Sequence, residues 1–401
     1  MSYTHDPLRI LVTHAIPQSR FIPPGLSRVN KSYTSEHSYS RTLLFKSMMT
    51  RVLLVGGGLT SALTGAILRR ELPHVELVLW DKSRGAGGRM ATSRSPHDKE
   101  CTADLGAQYI SATPEYAKLH TTYYEELINA GVLAPLTTKV VGMKVTDEGT
   151  KHYVTPSGVS SIVKHFMKEA DIDAKFGHHV SSIETNDGKW NVKTQQGEAD
   201  NFDAVVLTMP VPQLFGLTGS VKELLEKDEK LRSNLQAVDY SSRYALGLFY
   251  EKGTSISLKD SEASAQYVTN DPIIRFVAID NQKRGAEDNA PSVVIHTSVP
   301  FGKAHVEKTP EQVQPMLVKR VKEMFPEWPE PNFIKCQKWR FSQVSSAYPG
   351  LPGCVTLSDG LVVGGDGFTH SNMDGCIESA KAIAAAVVQY VSKCKHMMSK
   401  V

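Results

Sequence analysis

Cysteine pairing is the first thing this chain lacks. Its five cysteines, Cys101, Cys336, Cys354, Cys376 and Cys394, are odd in number and never stand at CxxC spacing. That argues against a disulfide scaffold and against a zinc site, so no metal ligands are assigned. Long apolar runs are missing too. The longest uncharged apolar-rich stretch, 382–392, falls short of the about 20 residues that span a bilayer. An excess of charge is missing once the chain is divided. Residues 1–48 hold six Lys/Arg against two acids, a local +4, which leaves −1 of the total +3 for residues 49–401. The body therefore carries no electrostatic signal for nucleic acid. What is there is ordinary: 41% hydrophobic and 22% charged residues over 401 positions, a globular composition long enough for roughly two to three domains.

The first 48 residues are rich in Ser, Thr, Pro and Arg with no sustained hydrophobic period, and a disordered leader is expected. Such an acid-poor, Arg- and Ser-rich start also fits a mitochondrial transit peptide. The plainer alternative is a dispensable extension before Met48 or Met49. No apolar segment followed by a small-residue cleavage site supports a secretory signal.

Order begins at about Arg51. Residues 51–56 are apolar and β-branched, as a central parallel strand requires. Gly56-Gly57-Gly58 follows, then a helical stretch from about Leu59 to Glu71, then a strand from Val75 to Trp80 ending in Asp81. This is the G-x-G-x-x-G dinucleotide arrangement, with Ser61 where the third glycine usually stands. Gly56 and Gly58 allow a tight turn and close approach of a pyrophosphate to the helix start, and Asp81 is placed to bind a ribose. Gly87-Gly88-Arg89 comes next. The glycines open the backbone to a cofactor, and the Arg89 guanidinium can neutralise phosphate.

A second cofactor segment lies at the other end of the chain. Residues 361–366 read as a buried strand ending in a Gly365-Asp366 turn, and a helix from about Asp374 to Val391 follows. Its apolar stripe is Ile377, Ala380, Ala384, Val387 and Val391. A dinucleotide-binding domain that begins at residue 49 and returns so late is discontinuous. Gly87-Gly88-Arg89 resembles the second fingerprint of the flavin amine oxidases, so the expected fold is α/β: a Rossmann-type FAD-binding domain (49–110, 158–212 and 355–398) and a second, antiparallel-sheet substrate domain (111–157 and 213–354). Strands are expected at 179–183, 190–193, 204–209, 244–250, 273–279 and 293–299, and helices at 220–235 and 310–325.

Several stretches then match one family closely. VLLVGGGLT, LWDKSRGAGGRM, CTADLGAQYI, VLTMPVP, YSSRYALGLFYE, QKWRFSQV and GGDGFTHSNMDGCI resemble the renalases, FAD-dependent oxidoreductases related to the flavin amine oxidases. The resemblance runs from about 49 to 392. It implies noncovalent FAD held by Gly56, Gly58, Thr60, Gly88, Arg89, Gln108, Tyr109 and Gly365, with Asp81 on the ribose and Asp366 near the ribityl chain. It implies that the last helix points its positive end at the flavin. It also implies oxidation of 2- and 6-dihydro isomers of NAD(P)H to NAD(P)+, with O2 reduced to H2O2, in a monomer with no nucleic-acid or membrane partner, cytoplasmic or secreted. Loss of hydride from a dihydropyridine is driven by aromatisation and needs no strong base, so the substrate wall need only position the ring. Tyr109, His296, Trp339 and Asn372 are the candidates for that wall. Two other readings stay open: a flavin amine oxidase, and a secreted signalling protein whose FAD is structural.

Overall fold

The structure is a computed structural model that describes residues 49–398. The expected leader, 1–48, lies outside the described residues, and with it the mitochondrial reading.

The apolar run after Thr50 becomes the strand Arg51–Val55, whose last four residues are buried. It sits inside a six-stranded sheet ordered Cys354–Ser358, Leu361–Gly364, Ala204–Leu207, Arg51–Val55, Glu76–Asp81, Asp173–Phe176. Five of these strands run parallel, and Cys354–Ser358 is the antiparallel edge. The register pairs Val52 with both Leu77 and Ala204. Parallel strands are covered on both faces, which is why they read as continuous apolar runs rather than alternating ones. One face, through Val52 and Leu54, packs on the helices Leu59–Glu71, Thr121–Asn129, Ser160–Glu169 and Met373–Met398. The other, through Leu53 and Val55, packs on a three-stranded antiparallel sheet (Val180–Asn186, Lys189–Thr194, Ala199–Phe202) and the helices at 220–236.

Local chemistry explains where expectation and structure differ. The expected 220–235 helix breaks into Ser220–Lys227 and Glu229–Gln236, because Asp228 leaves helical geometry and its carboxylate caps the Leu231 N–H at 2.8 Å. The expected 204–209 strand is two residues shorter. It runs at Ala204–Leu207, wholly buried, as the parallel neighbour of the first strand. The last helix continues past Val391 to Met398, through a segment with no glycine or proline to stop it.

A second six-stranded sheet has the order Phe333–Trp339, Arg243–Phe249, Ser292–Thr297, Ile274–Ile279, Ala263–Tyr267, Lys139–Val141. It is antiparallel except for its Lys139–Val141 edge. One face is apolar and closes on Val313, Leu317 and Val321 of the helix Pro310–Met324. Its other face carries Ala245 and Val294 against Cys101, Ala103 and Leu105 of the dinucleotide-binding part. Residues 111–157 serve both parts: Tyr124 and Leu127 join the first core, while Lys139–Val141 joins the second sheet.

Candidate functional site

The strand Arg51–Val55 ends at Gly56, whose φ of 117° suits glycine and where a Cβ would stand 2.6 Å from Thr208 Oγ1. Ser61, at the third-glycine place, is fully buried. Thr208 donates to the Val55 carbonyl at 3.1 Å, so its oxygen accepts the Ser61 hydroxyl at 2.8 Å. The serine costs no unpaired polar group. Asp81 accepts the Gly57 N–H at 2.5 Å through one oxygen and the Ser83 N–H at 2.6 Å through the other. Besides the ribose role expected of it, Asp81 thus ties the glycine loop to the end of the second strand.

The helix Leu59–Glu71 starts at Gly58 with no side-chain cap and no acid in its first turn, although Leu59 to Ala62 are buried. Buried, uncapped N–H groups at a helix start call for an anion. Nothing lies within 4 Å of where a Gly58 Cβ would point, and Gly88 closes in from the second glycine loop, a Cβ there lying 3.3 Å from Gly58 Cα. This glycine-lined, electropositive notch fits the diphosphate of a dinucleotide.

Arg89 crosses to the far end of the sequence. Its guanidinium makes a bidentate pair with Asp366, at 2.5 and 2.7 Å, while Asp366 also accepts the Ser371 hydroxyl. Burial works to lower the Arg89 pKa, but the Asp366 charge and hydrogen bond outweigh it and raise it further above its usual value. The Gly365 that precedes Asp366 has φ 123°. Gly106 packs so tightly beneath Arg89 that a Cβ would stand 1.9 Å from the Arg89 carbonyl oxygen. The two expected cofactor segments, some 277 residues apart in sequence, meet in one ion pair.

On the second-sheet side, the Leu105 carbonyl is a hub. It accepts the Trp339 indole N–H at 2.8 Å and His296 Nε2 at 3.1 Å. His296 therefore carries its proton on Nε2. Gln108 stands beside it: its Oε1 accepts Lys283 Nζ at 2.8 Å, and its Nε2 donates to the Asp104 and Gly106 carbonyls. Tyr109 shares a 2.6 Å hydroxyl contact with Tyr267. The structure thus brings Gln108, His296 and Trp339 together around the Leu105 carbonyl, while Tyr109 meets the second sheet at Tyr267. Asn372 caps the last helix: its side-chain oxygen accepts the Gly375 N–H at 2.7 Å, beside the Tyr116–His370 contact. Thr60 is buried at the first helix start, near the Cys376 thiol.

Four groups escaped the sequence reading. Asp280, Lys283 and Arg284 form a charged knot with almost no exposure: Asp280 meets Lys283 at 2.7 Å and Arg284 Nε at 3.0 Å, and accepts the Asp104 N–H at 3.1 Å. Tyr267 is the fourth. A charged i, i+3, i+4 set after a strand usually marks a solvent-facing helix start, and only the uninterrupted apolar run before it hints at burial.

Burial first, then the charges of Arg243 and Lys283, hold His296 far below its usual range, at about 3. The folded chain thus leaves His296 neutral where the unfolded chain, with an ordinary histidine pKa of about 6.5, takes up a proton. Stability is full above about 6.5 and falls as pH drops toward 3. Between pH 6.5 and 5 the loss reaches up to about 2 kcal/mol. His296→Gln should therefore be less stable than the parent at pH 7, with a gap that narrows at pH 5. Denaturant curves at the two pH values read this directly; a constant gap would contradict the assignment.

A dinucleotide cradle assembled from both ends of the sequence beside an antiparallel sheet, together with its family matches, places the chain in a class, the FAD-dependent oxidoreductases. The profile of the flavin containing amine oxidoreductases matches residues 138–388, and that of the NAD(P)-binding Rossmann-like domain matches 54–127. Within that class the chain belongs to the renalase family: it is 45% identical to renalase of Mus musculus over 348 residues, 86% of this chain and 100% of the relative. Two solved structures share the fold at low identity. One, described as a protoporphyrinogen oxidase of Exiguobacterium, has a TM-score of 0.64 at 13% identity, over 85% of this chain and 99% of its own. The other, a putrescine oxidase variant with redesigned cofactor binding, has 0.62 at 11%, with the same coverage. Among the described residues no helix is long and apolar enough to cross a membrane, and no group of three or more His, Cys, Asp or Glu side chains is placed to hold a metal.

Proposed function

We propose that this chain is a FAD-dependent oxidase of 2- and 6-dihydro isomers of NAD(P)H, yielding NAD(P)+ and reducing O2 to H2O2. The observation that carries this reading is the protonation of the wall. His296 is neutral at physiological pH and its Nε2 proton is committed to Leu105. Burial raises the Tyr109 hydroxyl's pKa well above its usual value, helped by its contact with Tyr267. Neither group takes a proton from substrate at neutral pH. A dihydropyridine needs no such base, because hydride loss restores aromaticity.

FAD, when bound, supplies the two-electron acceptor. The chain's part is to hold and to orient. The Gly56–Gly58 turn, Gly88 and the start of the first helix would hold the diphosphate, with Thr60 in that first turn. Arg89, Gly365 and Asp366 would hold the phosphate and ribityl portion. Gln108, Tyr109, His296 and Trp339 would set the plane of the nicotinamide, and Asn372 fixes the start of the last helix. Attachment is noncovalent in this reading. Burial pushes the Cys354 thiol up to about 11. Burial and Asp366 do the same to Cys376, so neither is an available thiolate nucleophile.

Anaerobic stopped-flow mixing of the yellow holoenzyme with candidate donors tests the proposal. Flavin bleaching by the 2- or 6-dihydro isomers should be fast. Ordinary β-NADH, which offers its hydride from C4, should be slower by about a hundredfold, the cost of roughly 1 Å of misplacement. Faster bleaching by dopamine would move the chain to the amine-oxidising reading.

A further inference from the structure

The face of the second sheet that carries the Leu105 wall also carries two arginines with no counter-ion. In the antiparallel register His296 lies opposite Ala245 and Phe276, Tyr267 opposite Phe276, and Arg243 opposite Trp339. Directly paired residues share a face, and so do residues two apart on a strand, so Arg243, His296, Tyr267 and Trp339 stand together. Arg275 enters from the irregularity between Ile274 and Phe276, with its guanidinium 5.5 Å from the Tyr267 ring centre.

Neither arginine has a carboxylate within ion-pair distance among the described residues, unlike Arg51, Arg70, Arg89, Arg284, Arg320 and Arg340. Arg243 is half-buried, and its pKa is lowered by desolvation and by the nearby Arg275 charge, with only Tyr267 opposing. Two like charges held together without an acid cost free energy unless something anionic shares the space. The hydrogen bonds say which edge is open. Arg243 uses only Nη1, toward Ser342 Oγ at 3.3 Å and Gln343 Oε1 at 2.7 Å. Arg275 likewise uses only Nη1, toward the Val268 carbonyl at 3.0 Å. The Nε and Nη2 donors of both are left without a described protein partner. That edge is the one a guanidinium offers to a phosphate as a fork.

We propose that Arg243 and Arg275 form an anion subsite that takes a phosphate group of the substrate, while the wall at His296 and Trp339 takes its ring. The inference rests on the dihydronicotinamide reading and deepens it: the preferred substrate is the phosphorylated nucleotide, and a cationic amine is repelled.

The test uses holoenzyme and four ligands. These are the dihydro isomers of NADH and of NADPH, the corresponding phosphate-free dihydronicotinamide riboside, and inorganic diphosphate. In the parent protein the riboside should have a KM at least about tenfold above that of the dinucleotides, the value of one charge-assisted contact. In Arg243→Gln and in Arg275→Gln that ratio should fall toward one. A larger effect for the NADPH isomer than for the NADH isomer places the subsite on the extra phosphate; equal effects place it on the diphosphate. A ratio that stays unchanged in both folded variants overturns the subsite. Calorimetric binding of diphosphate separates this from the function reading. If no dihydronicotinamide bleaches the flavin, yet the parent binds diphosphate and both variants lose it, the subsite stands and the substrate assignment falls. Equal diphosphate binding by parent and variants overturns the subsite whatever the donor.

Discussion

Asp280→Ala is expected to lower folding stability by about 3–5 kcal/mol, the usual cost of removing one partner from a buried ionic group. Three features place it at that end of the scale. The Asp280 and Lys283 side chains are 0% exposed and that of Arg284 2%, so water cannot replace the lost carboxylate. Two cations, not one, would be stranded. The Asp104 N–H, which Asp280 accepts at 3.1 Å, would lose its acceptor as well. Arg284 would keep its bonds to Thr102 and to the Pro156 carbonyl, but Lys283 would keep only Gln108. Denaturant unfolding measures the change, and a loss under about 1 kcal/mol would show that the knot relaxes or takes up water. Asp280→Asn is the informative companion: it fills the same volume without the charge, so it should lose almost as much. Burial, with the Asp280 charge next, pushes the neighbouring Asp104 carboxyl up to about 6. Removing Asp280 should bring that value down.

This knot also marks where the sequence stops being legible. The opening strand, glycine turn and helix could be read because each rests on short-range chemistry: glycine where φ is positive, an apolar run where both faces are covered, an acid at the second strand's end. The helix Leu59–Glu71 came out at its expected bounds for that reason. Partners across the chain could not be read. Arg89 was expected at the cofactor, but its pairing with Asp366 depends on how the Leu361–Gly364 strand joins the sheet. Lys283 reaches Gln108 across 175 positions, a contact with no local signature. The Leu105 carbonyl, which organises Trp339 and His296, is a backbone atom and leaves no trace in residue type. Asn372 has a local signature of its own. Asparagine before a helix is an ordinary N-cap, and its bond to the Gly375 N–H is that of a cap.

The Arg89–Asp366 pair yields the sharpest expectation for the cofactor. Arg89→Ala should weaken FAD binding by about 2–4 kcal/mol, or roughly 30- to 1000-fold in Kd, as a charge-assisted contact in a partly buried site is lost. The structure adds a second cause. The Asp366 side chain is only 5% exposed and is held by Arg89 on both oxygens. Without the guanidinium Asp366 loses its counter-ion and keeps only Ser371 to bond it, facing an anionic cofactor. Repulsion then adds to the lost attraction. The two causes separate in a double-mutant cycle. Asp366→Asn alone should cost less than Arg89→Ala, because it leaves an unpaired cation beside the diphosphate. The double variant Arg89→Ala/Asp366→Asn should bind FAD more tightly than Arg89→Ala alone, because the stranded charge has gone. Flavin fluorescence titration of apoprotein reads all four corners. If the double variant is as weak as the sum of the singles, Asp366 acts only by touching the cofactor, and Arg89 does not serve as its counter-ion.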